Sequence, residues 1–280
     1  MIFEHEIPGG SRLYFGEAAK KKRAIETIAS SVLDEAGFEE IVTPLFSYHQ
    51  HQSVSDERAL IRVNDTHNYN MSLRADSTID VVRIINKRLG RNTTHKKWFY
   101  IQPIYSYPSF EQYQVGAEYI DERRLSRVLN EAMRIFEQLH MTPLLQISNI
   151  NIPKKLSQLL DIPLESFRHI NVEQFLSREE PWLKALVYLH DVEQIESVMA
   201  VVPESIKEEL ATIKELCDAI SYKHVIIAPL YYADMLYYDE LFFRVIEGNE
   251  LFASGGRYGN DDITSVGFAI YTDALIEALG

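Results

Sequence analysis

The 280-residue chain has a single cysteine, Cys217. One thiol excludes an internal disulfide framework and fits a reducing compartment. Nowhere does the chain run for about 18 uncharged apolar residues, so no membrane-spanning helix is expected. The opening MIFEHEIPGGSR carries acids and no apolar stretch, so we expect no export signal and a cytoplasmic location. Basic residues are scarce: 28 Lys and Arg stand against 41 Asp and Glu, a net charge of −13. Gripping nucleic acid through its phosphates needs the opposite balance, so nucleic acid is not expected as a partner. The basic cluster NKRLGRNTTHKK, ending at Lys97, reads as a solvated loop. His49 and His51 fall at i, i+2 on one face of an apparent strand, with no cysteine or third histidine in ligand spacing. We therefore expect no metal and no cofactor.

What is present is apolar periodicity. Residues classed as hydrophobic make up 46% of the chain, enough for one large core with a satellite. Ala18, Ile25, Ile28, Val32 and Ala36 recur at helical spacing and Gly37 marks the stop. EEIVTPLF then reads as a strand closed by Pro44. DSTIDVVRIINKRLG reads as a helix capped by Asp76 or Ser77, striped by Ile79, Val82, Ile85 and Leu89, and ended by Gly90. KKWFYIQPIYSY and QYQVGAEYI are aromatic-rich strands around a turn at Pro108. A helix over about 122–140 and the strand PLLQISNI follow. From 153 to 222 the texture is helical, with breaks at Pro181 and Pro203 and no strand signal. Strands return in HVIIAPL, DELFFRVIEG, NELFASGG and ITSVGFAI, with Gly248-Asn249 as a tight turn, and a helix over 273–279 closes the chain. Hairpin-linked strands with segregated helices indicate an α+β fold on an antiparallel sheet. The expected organisation is a core domain of residues 1–152 plus 223–280, with 153–222 as a helical insertion.

This order of elements resembles the catalytic core of class II aminoacyl-tRNA synthetases, and within them the histidyl-tRNA synthetases. GFEEIVTPLF is similar to the first class II motif, which implies a homodimer through that region. LRADSTID resembles Leu-Arg-Pro-Glu-x-Thr and implies that Asp76 and Thr78 hold the α-amino group of histidine. YQVGAEYI resembles the second half of motif two and puts Gln114 and Glu118 beside the bound amino acid. MLYYDELFF resembles the histidine-specific Tyr-Tyr segment, giving Tyr237 and Tyr238, and ASGGRYGND the second such segment, giving Tyr258. The chemistry of these residues agrees. An acid and a hydroxyl at a helix start can take an ammonium. A second acid with a tyrosine can read ring nitrogens, and Gly255-Gly256 allows close backbone approach. Each residue also has a structural reading: Asp76 as a helix cap, Glu118 as a sheet-surface acid, Tyr237 and Tyr238 as core aromatics.

The departures from the family pattern bear on activity. Amino-acid activation by ATP needs fixed cations at the α-phosphate. Ser106, Ala233 and Ala274 stand where the resemblance would place arginines, and the adenine-covering loop is cut to YPSFEQ. Losing one such group commonly lowers the rate by a factor of about 100 to 1,000. Asp76 is also one methylene shorter than the synthetase glutamate. The resemblance is then to the catalytically silent relatives of the synthetases, the regulatory subunits of ATP phosphoribosyltransferase. It implies L-histidine as ligand, a short-form catalytic subunit as partner, a homodimer within a hetero-oligomer, and no aminoacylation. Two alternatives remain open on sequence: a paralogue with an empty pocket, and an amino-acid ligase acting on an acceptor other than tRNA.

Overall fold

The computed structural model describes residues 6–52, 54, 56–168, 172–232, 238–260 and 263–279. Helix α1 (Gly16–Glu35) turns Ile25, Ala29, Val32 and Leu33 into the core. Gly37 follows at φ +79°, a left-handed conformation that glycine adopts without a Cβ clash. The strand expected over EEIVTPLF is broken. Only β1 (Glu39–Glu40) and β2 (Phe46–Ser47) pair, and they belong to different sheets. The backbone between them is claimed by Arg74, whose guanidinium donates to the carbonyls of Thr43 at 3.0 Å, Pro44 at 3.3 Å and Pro103 at 2.9 Å. His51 accordingly lies in a short 3-10 turn, Gln50–Gln52, rather than on a strand with His49.

Strands β3 (Arg62–Asn64) and β4 (Asn70–Leu73) join β2 in a small sheet of order β2-β4-β3. Helix α2 (Thr78–Ile84) starts where the Asp76 carboxylate accepts the Ile79 N–H at 3.0 Å, and it runs into a π-turn, Ile85–Leu89. The hairpin β5 (Lys97–Ser106) and β6 (Phe110–Tyr119) leads to α3 (Ser126–Gln138) and β7 (Leu144–Asn149). Helices α4 (Asn151–Leu160), α5 (Val172–Leu176), α6 (Pro181–Val187), α7 (Ile195–Met199) and α8 (Glu204–Ala219) follow. Then come β8 (Val225–Ile227), β9 (Tyr238–Glu247), β10 (Glu250–Asn260), β11 (Ile263–Tyr271) and α9 (Thr272–Ala278).

The main sheet has eight strands in the order β1-β5-β6-β11-β10-β9-β7-β8. Its interior pairs are antiparallel as expected, whereas both edge pairs, β1 with β5 and β7 with β8, are parallel. Strand alternation sends Phe99, Ala117, Phe243, Val245 and Val266 to one face, under α1, α3 and α9. The apolar residues of α4, α6 and α8 belong to the same continuous cluster. Each such side chain, fully buried, contributes roughly 1.5–3 kcal/mol. Trp98, Tyr100, Tyr238, Phe242 and Tyr258 go to the opposite face and pack with Val81 and Val82 of α2 and Ile85 of the π-turn. That second face carries the site.

Candidate functional site

Period-two alternation along β6 puts Gln112, Gln114, Gly116 and Glu118 on the face beneath α2. Strand β11 runs alongside with Tyr271 opposite Gln114, Ala269 opposite Gly116 and Gly267 opposite Glu118. From β10, Ser254, Gly256 and Tyr258 share that face. A cavity of about 130 Å³ opens here, lined by Asp76 and Thr78 at the α2 start, by Gln112 and Gln114, and by Tyr238, Tyr258, Ser254 and Tyr271. This is below the roughly 300–1,000 Å³ of pockets for drug-sized ligands and suits a molecule of amino-acid size.

Glu118 forms the wall next to this space. It is 0% exposed, accepts from the Tyr258 hydroxyl at 2.5 Å, and faces the Tyr100 hydroxyl at 3.5 Å. Thr78 adds a third hydrogen bond. So the reading of Glu118 as a sheet-surface acid fails, because α2 seals that surface. For Asp76 both readings have a foothold. One carboxylate oxygen caps α2, yet the residue lines the cavity. Its backbone is pinned by the buried Gln50, whose amide oxygen accepts the Ala75 and Asp76 N–H groups at 2.8 and 2.7 Å. Tyr237 and Ala233 lie outside the described residues.

Of the expected residues, Asp76, Thr78, Gln114, Tyr238 and Tyr258 line one cavity and Glu118 hydrogen-bonds to two of them. Gly255 and Gly256 are not among the described residues that line the cavity. A Cβ at Gly256 would sit 2.7 Å from the Tyr238 ring, and one at Gly255 would meet Phe243 at 2.6 Å on the opposite face. Both glycines make room for the protein's own rings. Arg257 is likewise unavailable, being paired with Asp239 at 2.9 Å and with Glu240. Among the described residues lining the cavity there is no lysine or arginine.

The histidyl-tRNA synthetase family model matches residues 14–275. A regulatory subunit of ATP phosphoribosyltransferase from Wolinella succinogenes is 46% identical over 279 residues, covering 100% of this chain and 97% of that protein. Its counterpart from Helicobacter hepaticus is 40% identical, covering 100% and 99%. The chain belongs to the family of ATP phosphoribosyltransferase regulatory subunits. A crystal structure from Bacillus halodurans, described as an ATP phosphoribosyltransferase regulatory subunit/histidyl-tRNA synthetase, superposes with a TM-score of 0.87 at 21% identity, covering 100% of this chain and 84% of that one. It shares the class II synthetase-like fold.

In this family member the electrostatics of the cavity are dominated by burial. Desolvation pushes the Glu118 carboxyl from 4.5 up to about 8, with the nearby Asp76 charge adding to the rise and the Tyr258, Thr78 and Tyr100 hydrogen bonds opposing it. Glu118 is therefore protonated at neutral pH, able to donate as well as accept. Burial also raises the Tyr100 and Tyr258 phenols well above their usual value. The wall thus combines a neutral carboxyl and two phenols, a set that can exchange hydrogen bonds with a ring bearing one N–H and one bare nitrogen.

Sequence reasoning missed Gln112, Ser254 and Tyr271. Two of them were within reach of the strand period: Gln112 is two residues before Gln114, and Ser254 four before Tyr258. Tyr271 carried no such signal, since its place depends on the β11–β6 register. Its hydroxyl lies 2.7 Å from the Ser254 hydroxyl. No helix among the described residues is long and apolar enough to cross a membrane.

Proposed function

We infer that this chain is a non-catalytic regulatory subunit of ATP phosphoribosyltransferase, acting in histidine biosynthesis, that binds L-histidine in this cavity. The observation that carries the reading is the convergence of four segments, the start of α2 and strands β6, β9 and β10, on one small space. Asp76, Thr78 and Gln114 supply acceptors for the ammonium, while Glu118, Tyr238 and Tyr258 face the ring. The absence of lining cations among the described residues supports a site for an amino acid rather than a nucleotide. Ser106 and Ala274, standing where cations would be needed, support the lack of aminoacylation. The partner is a short-form catalytic subunit in the cytoplasm, and the chain acts as a homodimer within the hetero-oligomer. Residues 153–222 form an insertion on the core domain. Feedback then requires only that histidine favour the less active arrangement of the complex, and a coupling of about 1–3 kcal/mol suffices.

The test pairs binding with reconstitution. Calorimetry on the purified chain is expected to show L-histidine binding that weakens by at least about tenfold in Asp76→Ala, the loss of a charge-assisted hydrogen bond to the ammonium, and in Glu118→Ala, the loss of a buried hydrogen bond to the ring. The short catalytic subunit should co-purify with the chain, gain activity from it, and lose that gain in histidine. A folded chain that gives no heat with histidine and does not alter the catalytic subunit overturns the reading. Pyrophosphate exchange with each amino acid is expected at background; exchange above background would instead support a ligase.

A further inference from the structure

The cavity's described acceptors account for an ammonium and a ring, but an amino acid also brings a carboxylate. A carboxylate taken out of water without a cation costs several kcal/mol. The described lining residues offer none, which directs attention to the next rank of described residues. Arg244 on β9 is directly opposite Ser254 of β10, so the two side chains share the site face. On its other flank it is opposite Gln146 of β7.

Arg244 has no carboxylate partner among the described residues. Its guanidinium carbon lies 4.9 Å from the Tyr231 ring centroid, and its Nε is buried without a hydrogen-bond acceptor. The same holds for its neighbours: Gln146, 8% exposed, leaves its amide nitrogen unpaired, and Ser148, 0% exposed, leaves its hydroxyl unpaired. Buried donors without acceptors are rare in folded proteins and mark a place where an acceptor belongs. These three converge on one face. Ser254, the cross-strand neighbour of Arg244, and Tyr271, whose hydroxyl lies 2.7 Å from the Ser254 hydroxyl, both line the cavity. Burial raises the Tyr271 phenol, the Ser254 hydrogen bond opposes the rise, and among smaller contributions the Asp76 charge raises it and the Arg244 charge lowers it.

We propose that Arg244 is the carboxylate-binding residue of the cavity, taking the α-carboxylate of the amino-acid ligand with help from the Gln146 amide, opposite the Asp76 end that takes the ammonium. The assignment rests on the amino-acid reading of the site given above. A guanidinium is suited to the task because its fork presents two parallel N–H donors to a carboxylate. Stacking on Tyr231 holds that fork in place while no anion is bound.

The test compares L-histidine with histamine, which keeps the ring and the ammonium but has no carboxylate. Calorimetry on the wild-type chain is expected to give a preference for histidine of about 100-fold, the size of two charge-assisted hydrogen bonds. Arg244→Gln should bring that ratio close to one by weakening histidine alone, leaving histamine affinity unchanged. Arg244→Lys, which keeps the charge and loses the fork, should fall between, and it provides the readout should Arg244→Gln fail to fold. An equal loss for both ligands, or a histidine-to-histamine ratio untouched by either variant, overturns the assignment while leaving the histidine site standing. A wild-type chain that binds neither ligand overturns the histidine reading itself and the assignment with it.

Discussion

Glu118→Gln is expected to remove a large source of pH dependence from the stability of this chain between about pH 4.5 and 8. The carboxyl is 0% exposed and titrates near 8 when folded, against 4.5 for an ordinary glutamate. Its folded-state pKa is thus raised, so the native protein holds a proton that the unfolded chain releases between those two values. Stability from this group is fully present below about pH 4.5, declines through the window, and is gone above pH 8. The slope inside the window is about 1.4 kcal/mol per pH unit. Glutamine has the same shape, accepts from Tyr258 and donates to Thr78 or Tyr100, and does not titrate. Chemical denaturation of both proteins at pH 5, 6, 7 and 8 should give a difference that moves steadily in favour of the variant as pH rises. Parallel stability curves would mean that Glu118 is solvated, and the proposed ring contact would lose its physical basis.

The same proton shapes ligand affinity. A neutral imidazole entering beside a protonated Glu118 completes its hydrogen bonds with no proton gained or lost. Above about pH 8 the carboxyl has lost that proton, and binding must recover one. Below about 6.5 the free imidazole carries an extra proton, and binding must release it. Affinity is therefore expected to plateau between these limits and fall on either side, with the alkaline limb displaced upward in Glu118→Gln.

How much of this was legible in the sequence depended on whether one segment sufficed to define an element. The Ile25–Val32 stripe declares α1, and the alternation of β5 and β6 declares their hairpin, because each pattern is complete within its own stretch. The segment 39–46 misled for the opposite reason. Its apolar residues read as a strand, but the carbonyls of Thr43 and Pro44 are taken by Arg74, some thirty positions on. The small sheet went unread because Arg62–Asn64 and Asn70–Leu73 are short and mostly polar, without the branched apolar residues that mark a strand. Asp76, Thr78, Gln114, Tyr238 and Tyr258, named by family motif, line one cavity. Site residues set by cross-strand register were not legible: nothing local to Tyr271 places it opposite Gln114 on the cavity face. Glycines near the site were legible as close approaches, but not what approaches them, which turned out to be Tyr238 and Phe243 for the Gly255-Gly256 pair.

Gly267→Ala provides the sharpest test of that packing. Gly267 lies opposite Glu118 in the β11–β6 register, and a Cβ there would sit well under 3.0 Å from a Glu118 carboxylate oxygen and 2.8 Å from the Ala117 carbonyl oxygen. The carboxyl cannot swing aside, because Tyr258, Tyr100 and Thr78 hold it in a space closed to water. Overpacking of this kind costs about 1–3 kcal/mol, and breaking a buried hydrogen bond about 1–3 more. A loss of roughly 3–5 kcal/mol should lower the melting temperature by about 10 °C in a chain of this size. Gly259→Ala is the control: the nearest atom to a Cβ there is an Asp239 oxygen at 3.9 Å, so its effect should stay within about 0.5 kcal/mol. Removing the carboxylate in Glu118→Ala/Gly267→Ala should relieve the first clash and leave the second. The double variant is then expected to be more stable than the sum of the single losses predicts, by at least about 1 kcal/mol. Strict additivity, or a Gly267→Ala protein that melts with the wild type, would show that Glu118 does not lie across the glycine, and the cavity wall built on it would have to be redrawn.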